Sequence, residues 1–156
     1  IVLCGESAGG NLAAVACAQL KSNPRVAIRY QILLQPVVDF TLSYPSTAMP
    51  ASECLVPRAD LAWYYRTYSD GACAATDPRV SPVFGEDPTG LPPALIIAAE
   101  YDTLRDEAKA YADRLQTAGV AVRYVCAAGM VHGFLQMRGL VPDAEVATEE
   151  IARALN

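Results

Sequence analysis

A serine, an aspartate and a histidine have the types and the spacing that could support nucleophilic catalysis. Ser7 lies in the run Gly5-Glu6-Ser7-Ala8-Gly9-Gly10, which matches the Gly-x-Ser-x-Gly pattern of a nucleophile elbow. Such a turn lifts a serine hydroxyl above a sheet where a strand reverses into a helix. We expect Gly5 and Gly9 to be required because a β-carbon would have no room there. Ala8 is expected to begin the helix and to offer its N–H to an oxyanion hole.

The proton of Ser7 needs an acceptor, because a serine hydroxyl is a poor nucleophile at neutral pH. His132 is the single histidine of the chain, and an imidazole suits this role because its pKa lies near neutrality. Asp102 is expected to accept a hydrogen bond from the other ring nitrogen. It is better placed than Glu100 or Asp106 because it sits where a strand gives way to a loop. Two alternatives stay open: Asp102 could simply cap a helix, and His132 could be an ordinary loop residue.

The elements that would position these residues are predicted from apolar patterning. Strands are expected at 1–4, 26–34, 94–99 and 120–126. Helical spacing follows the first strand, with Leu12, Val15, Ala16 and Leu20 on the apolar face, and further helices are expected after about residue 103 and about residue 144. This alternation predicts a parallel sheet with flanking helices. Its reactive side chains would meet at the carboxyl ends of the strands.

Residues 39–90 interrupt this alternation and are predicted to be an insertion over the sheet. Pro57 can begin a helix that carries Leu61, Tyr64, Tyr65 and Tyr68 on one face. We favour ordinary packing of these side chains over a role in a substrate pocket. Two smaller expectations concern charged residues. Thr103 and Asp106 have the spacing of a capping box, and Glu6 should tether the elbow rather than relay protons.

Composition narrows the classes of partner. The chain has 156 residues, of which 53% are apolar and 19% charged, enough for one domain with a sizeable core. A net charge of −5 argues against nucleic acid and anionic membranes as partners. The apolar runs are too short for a transmembrane segment. Five widely spaced cysteines and one histidine favour neither a disulfide framework nor a metal site. No cofactor or metal is expected.

Three motifs carry a family resemblance. Gly5-Glu6-Ser7-Ala8-Gly9-Gly10-Asn11, Tyr101-Asp102-Thr103-Leu104-Arg105-Asp106-Glu107 and His132-Gly133-Phe134 resemble the bacterial hormone-sensitive-lipase-like esterases, the α/β-hydrolase fold-3 group. Residues 77–82 and 91–94 look like connecting segments of that family. The order Ser, Asp, His is that of the α/β-hydrolase triad. The resemblance covers essentially the whole chain and implies an α/β fold, the C-terminal half of a mainly parallel sheet with flanking helices.

By this resemblance Ser7 is the nucleophile, Asp102 the acid, His132 the base and Ala8 an oxyanion donor. The implied substrate is a small-molecule carboxylic ester with a short to medium acyl chain, hydrolysed through an acyl-enzyme. The chain departs from the family in having Glu6 where Asp is usual. It also lacks the upstream His-Gly-Gly-Gly loop, the first strands and the cap. Residues 1–156 are therefore expected to be a partial domain truncated at the N-terminus, poorly active and prone to aggregate when isolated.

Other functions with related architecture stay open at this stage. A prolyl-oligopeptidase-like serine peptidase has the same triad order, and a non-catalytic small-molecule-binding α/β-hydrolase relative would keep the fold without the reaction. A type-B carboxylesterase shares Gly-Glu-Ser-Ala-Gly, but longer separations between its catalytic residues are expected. A cytoplasmic location is the default expectation, and the sequence leaves the oligomeric state open.

Overall fold

The computed structural model describes residues 1–155. Within this range four strands form one sheet: β1 Val2–Glu6, β2 Tyr30–Leu34, β3 Ala94–Tyr101 and β4 Val122–Val131. The spatial order is β1-β2-β3-β4, and all neighbouring strands are parallel. The predicted parallel sheet is therefore confirmed, and the carboxyl ends of its strands lie along one edge.

Helices cover both faces of the sheet. They are α1 Ala8–Leu20, α2 Arg58–Ser69, α3 Arg105–Thr117 and α4 Pro142–Leu155, with short 3-10 helices at Pro45–Ala48, Pro82–Phe84 and Phe134–Met137. Side chains alternate across the strands: Leu33 and Ile96 pack with α1 and α3, whereas Ile32 and Leu95 pack with α4. Both faces of the central strands β2 and β3 are buried, which explains why their sequences are nearly continuous apolar runs.

The predicted strand boundaries differ from the structure by the most residues at two places. Residues 26–29 lie outside β2, which begins at Tyr30. The Arg29 N–H donates to the carbonyl of Ile1, a residue that itself precedes β1. Residues 127–131, which lie past the predicted end of the last strand, are instead part of β4. The pairing of β3 with β4 shifts between Ala99 and Tyr101, and Gly129 has a φ of 72° at this irregularity. A bulge leaves extra residues of one strand unpaired, and beyond this one β4 pairs again at Val131, directly before His132.

The predicted apolar face of α1 was only partly right. Val15 is buried, but the side chains in the core are mostly small, including Ala13, Ala14 and Cys17. Leu12 is 57% exposed. Small side chains let α1 approach the sheet closely. The bulkier Leu12 lies on another side of the helix, where it lines the cavity described below.

The insertion between β2 and β3 carries α2, as predicted, with Pro57 as its N-cap residue. Leu61 and Tyr65 are buried and form a separate apolar cluster with Val37 and Leu104. The Thr103 hydroxyl donates to the Val56 carbonyl at 2.7 Å. This contact and the apolar cluster fix α2 over the carboxyl edge of the sheet.

Candidate active site

Ser7 occupies the sharp turn between β1 and α1. Its backbone has φ 55° and ψ −116°, a combination that residues other than glycine rarely adopt. Backbone hydrogen bonds to the end of β2 and the loop after it hold this turn in place. The Ser7 N–H donates to the Leu34 carbonyl at 2.8 Å, and the Ser7 carbonyl accepts from the Val37 N–H at 3.2 Å. The elbow expected from the sequence is therefore present, and its strain is supported by the loop that follows β2.

The glycines of the elbow have different reasons for being there. A β-carbon on Gly5 would lie 2.1 Å from the Gly9 carbonyl oxygen, and one on Gly10 would lie 2.8 Å from the Pro36 β-carbon. A β-carbon on Gly9 would meet nothing within 4 Å. The expected steric requirement is confirmed at Gly5 and is wrong at Gly9, because the close approach of α1 to the sheet occurs one residue later, at Gly10.

Asp102 follows directly after β3 and has a side chain that is 1% exposed. Its Oδ2 lies 2.8 Å from His132 Nδ1, and its Oδ1 accepts a hydrogen bond from the Leu104 N–H at 3.0 Å. The two interpretations of Asp102 are therefore compatible, since one oxygen faces the imidazole and the other stabilises the turn into α3. The capping box predicted from Thr103 and Asp106 is wrong, because the Thr103 hydroxyl donates to the Val56 carbonyl and the Asp106 N–H donates to Ser46 Oγ instead.

His132 follows directly after β4 and joins the other two residues. Its Nε2 lies 3.0 Å from Ser7 Oγ, while its Nδ1 faces Asp102. A carboxylate can only accept a hydrogen bond, so Nδ1 carries the proton in the neutral ring and Nε2 is free to accept from the serine hydroxyl. The structure brings together the three residues singled out in the sequence, in the geometry that a nucleophile and its base require.

Opposing influences act on the pKa of His132. Burial lowers the pKa, but the hydrogen bond and the charge of Asp102, together with the charge of Glu6, outweigh burial and leave the pKa above its ordinary value. The imidazolium is therefore stabilised in this site, which is what a base that must hold a proton during a reaction needs.

Glu6 links the elbow to the segment after His132. Its Oε2 accepts a hydrogen bond from Gln136 Nε2 at 3.0 Å. Its Oε1 is buried and has no hydrogen-bond partner among residues 1–155. The predicted tethering role is confirmed by this contact.

Ala8 is the first residue of α1, is exposed, and lines the same cavity as Ser7. The first N–H groups of a helix lack partners within the helix and lie at the positive end of its dipole. An oxyanion role for Ala8 therefore stays a prediction with a suitable location.

A cavity of about 720 Å³ opens beside Ser7. Its walls include Leu12 of α1 and the aromatic side chains of α2, of which Tyr64 is 50% exposed and Tyr68 is 58% exposed. Tyr65 is buried, as ordinary packing predicts, whereas Tyr64 and Tyr68 are more exposed than ordinary packing predicts, although the Tyr68 ring contacts Phe40. Helical spacing places residues on one face but does not reveal that part of this face borders a cavity.

Two buried polar side chains that the sequence analysis did not single out fix the loop after β2. Asn11 Nδ2 donates to the carbonyls of Val37 and Val80, and Glu107 Oε1 accepts from the Val38 N–H at 2.7 Å. Burial is the main cause that raises the pKa of Glu107 well above its ordinary value. The sequence held a signal for Glu107, since it falls at helical spacing among the apolar residues of α3.

The described part of the chain offers few candidate metal ligands close together. No group of three or more His, Cys, Asp or Glu side chains there could hold a metal ion, and the five cysteines are free. None of the described helices combines the length and the apolar character needed to cross a membrane.

A family model described as alpha/beta hydrolase fold matches residues 1–136. The chain is 33% identical to "Ethyl acetate hydrolase" of Pseudomonas putida, over 99% of the chain and 49% of that protein. It is 37% identical to "Carboxylic ester hydrolase LipN" of Mycobacterium tuberculosis, over 97% of the chain and 42% of that protein.

Two solved structures are also similar to this chain. A hyperthermophilic esterase from the archaeon Pyrobaculum calidifontis is 35% identical with a TM-score of 0.88, and the match covers 98% of this chain and 51% of that one. A hormone-sensitive lipase from a metagenome library is 29% identical with a TM-score of 0.91, covering 98% of this chain and 52% of that one. The chain thus spans about half the length of the relatives it matches.

Proposed function

Because the chain belongs to the α/β-hydrolase family, we propose that it carries the triad of a serine carboxylic-ester hydrolase. One observation carries the proposal: Ser7 Oγ, His132 and Asp102 are linked by contacts of 3.0 and 2.8 Å. Two of the relatives named above are named as ester hydrolases, and one of the solved structures is a hormone-sensitive lipase. Since the chain spans about half the length of those relatives, the activity is proposed for the whole protein.

The reaction would proceed in two steps. Ser7 Oγ attacks the ester carbonyl while His132 Nε2 takes its proton, and Asp102 stabilises the imidazolium that forms. The negative charge on the carbonyl oxygen is stabilised partly by the Ala8 N–H. Collapse of the tetrahedral intermediate breaks the ester C–O bond, and His132 returns the proton to the departing alcohol. Water, deprotonated by His132, then hydrolyses the acyl-enzyme and releases the acid.

Short to medium acyl esters are the proposed substrates. The cavity beside Ser7 has a volume of about 720 Å³ and mainly apolar walls, within the usual range for small-molecule sites. A relative named for ethyl acetate hydrolysis supports small esters. The intact contacts among Ser7, His132 and Asp102 favour hydrolysis over a relative that only binds small molecules.

Hydrolysis of p-nitrophenyl acetate, butyrate, octanoate and palmitate by the whole protein tests the proposal. Ser7→Ala is the matched control because it removes only the hydroxyl. The proposal expects one or more of the shorter esters to be hydrolysed and the control to fall to background. Equal rates for parent and control, with both folded, would refute it. An aminoacyl p-nitroanilide in the same assay tests the peptidase alternative, which predicts amide cleavage without cleavage of simple esters.

A further inference from the structure

Gln35 contacts the backbone on both sides of His132. It follows directly after β2, and its side chain is fully buried. Its Nε2 donates to the Val131 carbonyl at 3.0 Å, and its Oε1 accepts from the Gly133 N–H at 2.8 Å. The two ends of one amide group thus hold the two residues that flank the proposed base. The orientation of the amide follows from its partners, since a carbonyl only accepts and an N–H only donates.

The backbone of Gln35 is itself in an unusual conformation. Its φ is 45°, in the left-handed region that a long side chain seldom adopts. The Gln35 N–H donates to the Ile97 carbonyl at 2.6 Å, so the surrounding sheet enforces this conformation. Strain of this kind persists where surrounding contacts impose it, and it clusters at functional sites.

We propose that Gln35 is a positioning residue that holds His132 where its ring meets Asp102 and Ser7 simultaneously. This inference rests on the proposed function of the same site. Two other contacts fix the segment farther along the chain: Phe134 is fully buried and Gln136 donates to Glu6. Neither acts on the peptide groups adjacent to His132, whereas Gln35 acts on both.

Gln31 provides a matched control for Gln35. It lies at the other end of the same strand, is equally buried, and its Nε2 donates to the Pro92 carbonyl at 2.9 Å. Gln35→Met removes the hydrogen bonds to Val131 and Gly133, and Gln31→Met removes the one to Pro92, each with little change in side-chain volume. We expect Gln35→Met to lower kcat by about 10- to 100-fold with KM changed by less than about twofold, because misplacing a base affects the transition state. Gln31→Met should leave both within about twofold.

An NMR titration of His132 gives a readout that needs no ester hydrolysis. The His132 signal is identified by its absence from a His132→Gln variant. The groups that raise its pKa are Asp102 and Glu6, which act against burial. If the imidazole leaves Asp102 part of the time in Gln35→Met, its pKa should move down toward the ordinary value. In Gln31→Met it should stay at the parent value.

These measurements distinguish a failure of the proposed function from a failure of the proposed role of Gln35. A folded protein that hydrolyses no ester refutes the proposed function, whereas equal effects of the two Met variants on kcat and on the His132 pKa overturn the role of Gln35 alone. If Gln35→Met does not fold, Gln35→Glu replaces it. In its ionised form that variant keeps an acceptor for the Gly133 N–H and loses the donor to Val131, so we expect kcat measured above the pKa of the new carboxyl group to fall by about fivefold or more. An unchanged kcat in Gln35→Glu would overturn the inference.

Discussion

The carboxyl edge of the sheet and the helix α2 above it border the same cavity but are built differently. At the edge, Ser7, Asp102 and His132 are fixed by hydrogen bonds and by glycines that have no room for a side chain. In α2, one side packs into the apolar cluster through Leu61, while Tyr64 and Tyr68 remain exposed toward the cavity.

The contrast separates chemistry from substrate choice. Reacting groups must be held within fractions of an ångström, so each is restrained by directional contacts. A wall that accommodates an acyl or alcohol group needs only apolar surface of suitable shape. Changes at the edge should therefore lower the rate with every ester, whereas changes in α2 should alter which esters are preferred.

Asp102→Asn should have the largest effect on the rate. The amide keeps the size of the side chain but removes the charge that fixes the imidazole tautomer, and the equivalent change in serine proteases lowers kcat by about 10⁴-fold. We expect a fall of that order for every p-nitrophenyl ester tested. Asp106→Asn, which removes a nearby carboxylate that contacts Ser46, is the control and should change kcat by less than about threefold. Similar losses in both variants would contradict the assignment of Asp102.

The elbow glycines offer a contrast within the edge itself. In Gly5→Ala the new methyl group meets the Gly9 carbonyl oxygen at 2.1 Å, so backbone must shift. We expect the free energy of unfolding to fall by about 3 kcal/mol or more and hydrolysis to be lost. Gly9→Ala places a methyl group in open space within α1 and should be neutral or stabilising by up to about 1 kcal/mol. Denaturant unfolding measures both, and equal destabilisation would show that the steric account is wrong.

The exposed aromatics of α2 should control substrate preference more weakly. Tyr64→Ala and Tyr68→Ala remove apolar wall, so we expect kcat/KM for octanoate relative to acetate to change by up to about tenfold. The kcat for acetate should stay within about threefold of the parent. Phe84, 41% exposed but outside the cavity lining, provides the control variant Phe84→Ala. If the preference among acyl-chain lengths is the same in all variants, α2 does not form part of the substrate site.

The smallest expected effect is a shift in pH dependence. His132 must be neutral to accept a proton, and its pKa is raised by Asp102 and Glu6 despite burial. The acid limb of kcat/KM should therefore have its midpoint above the ordinary histidine pKa of about 6.5. Glu6→Gln removes one of the charges that raise the pKa, so the midpoint should move to lower pH. Glu145→Gln, at an exposed carboxylate outside the site, should leave the midpoint in place. An unmoved midpoint in Glu6→Gln would exclude Glu6 as an influence on the base.

Most of the sheet and the grouping of Ser7, Asp102 and His132 could be predicted from the sequence. Buried parallel strands are apolar runs, their carboxyl ends share one edge, and one histidine left no alternative base. Leu12 and Tyr68 were assigned to packing because periodicity identifies a face but not what it borders. The role of Gly10 and the extension of β4 depend on contacts between segments distant in sequence. Gln35 carries no local signal, since its partners lie 96 and 98 residues away.

Covalent labelling of the whole protein tests the central claim most directly. Diethyl p-nitrophenyl phosphate phosphorylates an activated serine and releases p-nitrophenolate, and peptide mass spectrometry locates the adduct. The account predicts one adduct, on Ser7, formed in step with the loss of ester hydrolysis and greatly slowed in His132→Gln. An adduct on another residue that accompanies the loss of activity, or full hydrolysis by a protein labelled on Ser7, would contradict Ser7 as the nucleophile.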